Sequence, residues 1–235
     1  MEIKELKKVL EEFGDNVKFE HDLKKKNWFN IGGKAKVFFK ANNLKELVNL
    51  LKKINNQEKI FILGAGSNTL VKDSLYDGIV IKLSKNFNNI SLLREDVIIA
   101  GSAVSDKSLS DFAMNNNLSG FEFLSCIPGS IGGGIKMNAG CFGKEFKDIL
   151  LSVQAIDRLG NVKTTLSKDI DFEYRKNDLP DDLIFLSASF KGIKGDKKKI
   201  SDQKHKIKKE KEKNQTTKIK TRGSRFKKKI EQTHK

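Results

Sequence analysis

Residues 122–143 read EFLSCIPGSIGGGIKMNAGCFG. Six of these positions are glycine: 129, 132, 133, 134, 140 and 143. Glycine loses more backbone entropy on folding than any other residue, so so dense a run inside a globular body needs a compensating use. The residues between include Ile127, Ile131, Ile135, Met137 and Ala139, whereas a flexible linker would be polar. A backbone that wraps closely around a flat or polyanionic cofactor accounts for both features.

Working outward, residues 97–101 (VIIAG) read as a strand, and 105–117 as a helix with Leu109, Phe112 and Ala113 inward. Downstream, 150–157 and 161–165 read as a hairpin across the Leu159-Gly160 turn, followed by a strand at 183–190. The N-terminal part opens with a helix over 2–13 and a loop carrying NWFNIGG, where Trp28 is expected to anchor the core. A strand (34–40), a helix (43–54) capped by Asn43, and strands at 59–63 and 78–83 follow. This is a mixed α and β pattern. A lysine-rich helix over 194–213 has few apolar positions and is expected to bury little.

A second glycine motif, Gly64-Ala65-Gly66-Ser67-Asn68, follows the 59–63 strand. Successive amide N–H groups in such a turn can form a nest for a phosphate. The dinucleotide fingerprint G-x-G-x-x-G is not met, since Thr69 and Leu70 follow and no third glycine stands at that spacing. Taken alone, the motif fits a plain strand-ending turn equally well.

The formal net charge of +16 is concentrated at one end: residues 191–235 hold 19 Lys and Arg against 5 Asp and Glu. A basic tail attracts polyanions, but Phe226 is its one aromatic residue, so base stacking has little support and nucleic acid is not the expected partner. Cys126 and Cys141 do not make a disulfide framework and have no metal-ligand spacing with His21, His205 or His234. No metal is expected; the cysteines are read as packing residues and the histidines as exposed. No signal peptide or membrane-length apolar run is visible, so a cytoplasmic setting is expected.

NWFNIGG-x-A, LGAGSN-x-LV, the 122–143 block, and Tyr174-Arg175 ahead of an LP-x-D-x-I-F strand occur in that order. Together they resemble the UDP-N-acetylenolpyruvoylglucosamine reductase family from about Asn27 to Phe226. The resemblance implies an α+β fold: a two-lobed FAD-binding domain of the vanillyl-alcohol-oxidase/PCMH type, with an incomplete C-terminal substrate domain. The expected division is 1–83 for the first lobe, 84–190 for the second, and 191–235 for the remnant of the substrate domain, a loosely held basic tail. It also implies that NADPH reduces FAD, which then reduces the enolpyruvyl group of UDP-N-acetylenolpyruvoylglucosamine to UDP-N-acetylmuramate, in a monomer.

Residue by residue, Gly64, Gly66, Ser67 and Asn68 match the pyrophosphate-facing turn. Ser125, Pro128, Gly129, Ser130, Gly132, Gly133, Asn138, Ala139 and Gly140 match the rest of the cofactor cradle. Arg175 matches the active-site arginine, Tyr174 a pocket residue, and Ser224 the proton-donating serine. The pattern departs from the family at Thr216, Arg222, Lys228 and Lys229; no residue matches the family's late glutamate, and the lysine it uses near the substrate phosphates falls in a run of lysines with no unique choice. A truncated chain is the first explanation for these departures, ahead of a degenerate paralogue or a second chain that supplies the rest. A flavin-binding fragment without turnover and a polyanion-binding tail are the alternatives.

Overall fold

The structure is a computed structural model and describes residues 1–214. Helix α1 (Ile3–Val9) is shorter than the 2–13 helix expected; a 3-10 turn over Glu11–Asn16 follows, and Gly14 at φ 49° breaks the helical path. Strand β1 (Val17–Asp22) lies where the sequence read as loop. Val17, Phe19 and His21 alternate with charged residues, and none of the six is fully buried, so the period-2 signal is weak. His21 is half-buried rather than exposed, its ring 4.7 Å from that of Phe38, and burial with the Lys26 charge holds its pKa below the ordinary value.

The first sheet continues with β2 (Lys34–Ala41), β3 (Ile60–Ile62) and β4 (Tyr76–Leu83), in spatial order β1-β2-β4-β3. β4 runs parallel to both β2 and β3, as a strand–helix–strand connection requires. That connection is α2 (Leu44–Ile54). Its N-terminus is fixed reciprocally: Asn43 Oδ1 accepts from the Glu46 N–H, and Glu46 Oε2 accepts from the Asn42 N–H, each at 2.9 Å. Leu47, Leu50, Leu51 and Ile54 of α2 pack on Val37, Phe39 and Ala41 of β2.

The second lobe begins with β5 (Ile90–Arg94), also not foreseen, and β6 (Val97–Gly101). Then come α3 (Asp106–Asn115), β7 (Leu118–Ser119), a 3-10 turn (Glu122–Cys126), α4 (Ile131–Lys136), and the small hairpin of β8 (Gly140–Cys141) and β9 (Lys144–Glu145). Next are β10 (Leu150–Ile156), β11 (Val162–Leu166), and a second small hairpin of β12 (Phe172–Glu173) and β13 (Lys176–Asn177). The described chain ends with β14 (Ile184–Lys191), β15 (Ile193–Lys194) and α5 (Lys197–Asn214). The main sheet is antiparallel, in order β11-β10-β14-β6-β5. Its core centres on Phe146, whose ring stands edge-on to Phe123 and Phe190 at 6.4 and 6.1 Å. Ile156, Ile184 and Leu186 cross into the first lobe's core, so the two lobes pack against each other.

Two expectations are corrected here. Trp28 is not a core anchor: it is 38% exposed, because its N–H donates to the Gly66 carbonyl at 2.9 Å and leaves the indole on a cavity rim. The described part of the basic tail is not loosely held. α5 buries Ile200 and Ile207 and packs against the 3-10 turn and α3. Lys204 pairs with Asp111 at 2.5 Å, and Lys211 Nζ donates to the Cys126 carbonyl. Two apolar anchors and lysines with protein acceptors seat a helix whose composition reads as solvated.

Candidate functional site

The two glycine motifs, distant in sequence, meet. A Cβ added at Gly64 would stand 2.6 Å from Ser130 Oγ, so the two motifs are in contact and any larger residue here would displace the Ser130 hydroxyl. At Gly66, φ is +70° and an added Cβ would press on the Lys26 carbonyl and lie 2.9 Å from Asn27 Cα. Asn27 is buried and braces this contact from below: its Nδ2 donates to the carbonyls of Leu23 and Ile31 at 2.9 and 2.7 Å. Among the described residues, no backbone hydrogen bond is donated by Ala65, Gly66, Ser67 or Asn68. The turn therefore presents a row of unsatisfied N–H donors, which suits an anionic phosphate group.

The long glycine block is not an irregular wrap throughout. Residues 131–136 form α4, and its glycines have different uses. Gly134 lies under the Phe146 ring, and Gly132 lies where a Cβ would stand 3.1 Å from Ser102 Cβ. At Gly133 the nearest atom to an added Cβ is Ser130 Oγ, at 3.6 Å. The first two let the helix approach the core; the third keeps a wall open.

That wall belongs to a cavity of about 890 Å³ between the lobes. Gly64, Gly66, Ser67, Asn68, Pro128, Gly129, Ser130, Gly132, Gly133, Ala139 and Gly140 line it, with Arg175. Three sequence-picked residues stand outside its lining. Ser125 Oγ donates to the Glu122 carbonyl at 2.6 Å. Asn138 is buried, with Nδ2 on Glu145 and the Glu173 carbonyl and Oδ1 accepting from the Lys147 N–H, so it ties the β8–β9 hairpin to β12. Tyr174 is exposed, with the Arg175 guanidinium 5.4 Å from its ring centre. Ser224 lies outside the described residues.

Arg175 owes its position to the turn between β12 and β13. It sits at φ +61°, a left-handed conformation uncommon for a side-chain-bearing residue. Strain of this kind persists where the surroundings fix it, commonly at functional sites. Here it directs the guanidinium to the cavity.

Other residues were not picked out by sequence reading. Lys82, from an otherwise apolar strand end, faces the cavity and donates to the Gly64 carbonyl at 3.2 Å. Burial, with Lys26 nearby, holds its pKa below the ordinary lysine value, so an anion would relieve it. A lone charge in the run GIVIKL was the available signal. Asp106 and Ser102 are buried in the same wall; both carboxylate oxygens and the Ser102 hydroxyl have no hydrogen-bond partner. Desolvation pushes the Asp106 carboxyl up to about 8, so it holds its proton at neutral pH. In sequence it looks like an ordinary first-turn acid behind the Ser105 cap. With Asp106 neutral, Lys82, Lys136, Arg158, Arg175 and Lys211 face the cavity against Asp181 and Asp182.

These features fit an extended cofactor with a polyanionic middle: room, donors without partners, cationic side chains and glycine walls. Among the described residues there is no cluster of metal-ligating side chains and no helix long and apolar enough to cross a membrane.

Comparison with known proteins agrees with that chemistry. The family described as FAD binding domain matches residues 35–166. The UDP-N-acetylenolpyruvoylglucosamine reductase of Pelagibacter ubique is 60% identical over 235 residues, covering all of this chain and 78% of that protein. The protein of the same name from Rickettsia typhi is 46% identical over 183 residues, 78% of this chain and 62% of that one. The chain thus spans about three fifths to four fifths of these relatives' lengths. Among solved structures, UDP-N-acetylenolpyruvylglucosamine reductase (MurB) from Thermus caldophilus superposes with a TM-score of 0.73 at 26% identity, covering 83% of this chain and 68% of that one. p-Cresol methylhydroxylase shares the fold, with a TM-score of 0.54 at 16% identity over 82% of this chain and 43% of its own.

Proposed function

This chain belongs to the UDP-N-acetylenolpyruvoylglucosamine reductase family, and on that footing we propose that it binds FAD in the interlobe cavity and reduces the enolpyruvyl group of UDP-N-acetylenolpyruvoylglucosamine to UDP-N-acetylmuramate, with NADPH as reductant. It acts as a cytoplasmic monomer, with residues 1–83 and 84–190 as the cofactor lobes and 191–235 as the remnant of the substrate domain. The observation that carries the reading is the meeting of the two glycine segments at Gly64 and Ser130, beside the unpaired N–H groups of residues 65–68.

When bound, FAD supplies hydride chemistry that no amino-acid side chain provides. The chain's own residues do the rest. The N–H groups of Ala65 to Asn68, which have no backbone acceptor, would hold the pyrophosphate, and Lys82 beside them would balance its charge. Ile127, Met137 and Leu183 line the cavity with apolar surface and exclude water. Arg175, which lines the cavity, would pair with the substrate carboxylate and so stabilise negative charge on the substrate. Ser224 delivers the proton.

An anaerobic absorbance trace of the FAD-loaded chain tests this. Bleaching by NADPH, then recovery of the oxidised spectrum on adding UDP-N-acetylenolpyruvoylglucosamine, is expected. Failure to retain flavin overturns the reading. Flavin that bleaches but never recovers supports a flavin-binding protein without turnover, the reading favoured by Arg222, Lys228 and Lys229 at positions where the resemblance breaks.

A further inference from the structure

Cys126 and Cys141 are the chain's two cysteines, fifteen residues apart at opposite ends of the glycine block. One closes the 3-10 turn and the other lies in β8, and these elements pack together. Both residues line the cavity, Cys126 buried within its wall and Cys141 half-buried, and they lie near enough to shift each other's pKa in opposite directions. Two cysteines kept only for packing need not face the same space or each other.

We propose that Cys126 and Cys141 form an oxidisable dithiol in the cavity wall, in which hydrogen peroxide converts the facing thiols to an intramolecular disulfide joining the 3-10 turn to β8. The proposal stands apart from the reductase reading, since it needs neither flavin nor substrate.

The surroundings assign the roles. The neighbouring Cys141 thiol lowers the pKa of Cys126; the Ser125 hydroxyl, 3.9 Å away, and the charges of Lys211 and Lys208 act in the same direction. The same contact, with burial, raises the pKa of Cys141. Cys126 is therefore the attacking sulfur, because the thiolate is the nucleophile, and Cys141 resolves. The Cys126 thiolate attacks one peroxide oxygen; an S–O bond forms, the O–O bond breaks, and the departing hydroxide takes up a proton as water, leaving a sulfenic acid. Cys141 loses its proton, its sulfur attacks the Cys126 sulfur, the S–S bond forms, the S–O bond breaks, and a second water leaves. The two thiols give up two electrons and two protons, and the peroxide is reduced to two waters. α5 takes part through Lys211, which holds the Cys126 carbonyl and brings its positive charge to the attacking sulfur.

The test uses the intact, reduced chain exposed to peroxide and then alkylated. Because there are no other cysteines, stoichiometry is unambiguous. The expected product has lost two hydrogens, takes up no alkylating reagent, yields a cross-linked peptide containing both residues, and reverts with dithiothreitol. Cys141→Ser should stop at a sulfenic acid on Cys126 that dimedone traps. Cys126→Ser should lose thiol roughly tenfold or more slowly than the native chain. Two alkylatable thiols after peroxide, a disulfide between molecules instead of within one, or Cys126→Ser reacting as fast as the native chain would each overturn the proposal.

Discussion

The cavity has two kinds of wall. One is backbone: Gly64–Asn68 contribute unpaired N–H groups, and both they and Gly129–Gly133 contribute close approach. The other is side chain: Lys82, Asp106, Arg175 and Lys211 arrive from β4, α3, the β12–β13 turn and α5. The backbone wall tolerates almost no change because its function is the absence of atoms. The side-chain wall is adjustable, since each group contributes a charge or proton that a substitution can remove while the fold remains. The contrast implies that substitutions in the first wall cost folding and binding together, and those in the second separate them.

The largest effect is expected at Gly66→Val. A β-branched residue at φ +70°, pressed on the Lys26 carbonyl, should lose about 2–4 kcal/mol of stability. It should also abolish FAD retention; urea unfolding and flavin titration measure the two. Equal FAD affinity in this variant would break the comparison. Arg175→Ala should leave FAD affinity unchanged and slow substrate-dependent flavin reoxidation about 100-fold, the usual scale for losing one charge-stabilising donor. If FAD binding falls as well, Arg175 belongs functionally to the cofactor wall.

Lys82→Met keeps most of the apolar stem and removes the charge. FAD affinity should fall about tenfold and lose part of its salt dependence, measured by titration at low and high ionic strength. Asp106→Asn should have the smallest effect on binding, because an amide resembles the neutral acid already present at pH 7. Its signature lies in stability. The unfolded carboxyl releases its proton near 3.8 and the folded one near 8. Between those values the folded chain binds one more proton, so this group makes stability fall as pH rises and costs its full amount above about pH 8. The variant should flatten that slope in thermal melts from pH 5 to 9. An unchanged slope would mean that Asp106 is ionised in the folded chain.

Much of the fold was legible. α2, β2, β6, the β10–β11 hairpin and β14 carry strong periodicity, and the structure has each within a residue or two of its expected bounds. β1 and β5 were missed because β1 has no fully buried residue and β5 is mostly exposed, leaving little apolar signal to read. α5 was read as solvated because it has few apolar positions; among the residues whose burial is described, Ile200 and Ile207 are the buried ones. Its hold depends on Asp111 and the Cys126 carbonyl, far away in sequence. Of the site, both glycine motifs and Arg175 were visible, while Lys82, Asp106 and the facing cysteines were not.

The sequence by itself determined where the backbone must turn tightly and come close, because glycine, N-caps and hydrophobic period act within a few residues of where they are written. Tertiary structure alone decided which side chains face the cavity, that Asp106 keeps its proton, that Trp28 lies on the rim, and that Cys126 meets Cys141. Burial and charge proximity are sums over neighbours from distant segments, and no local pattern contains them.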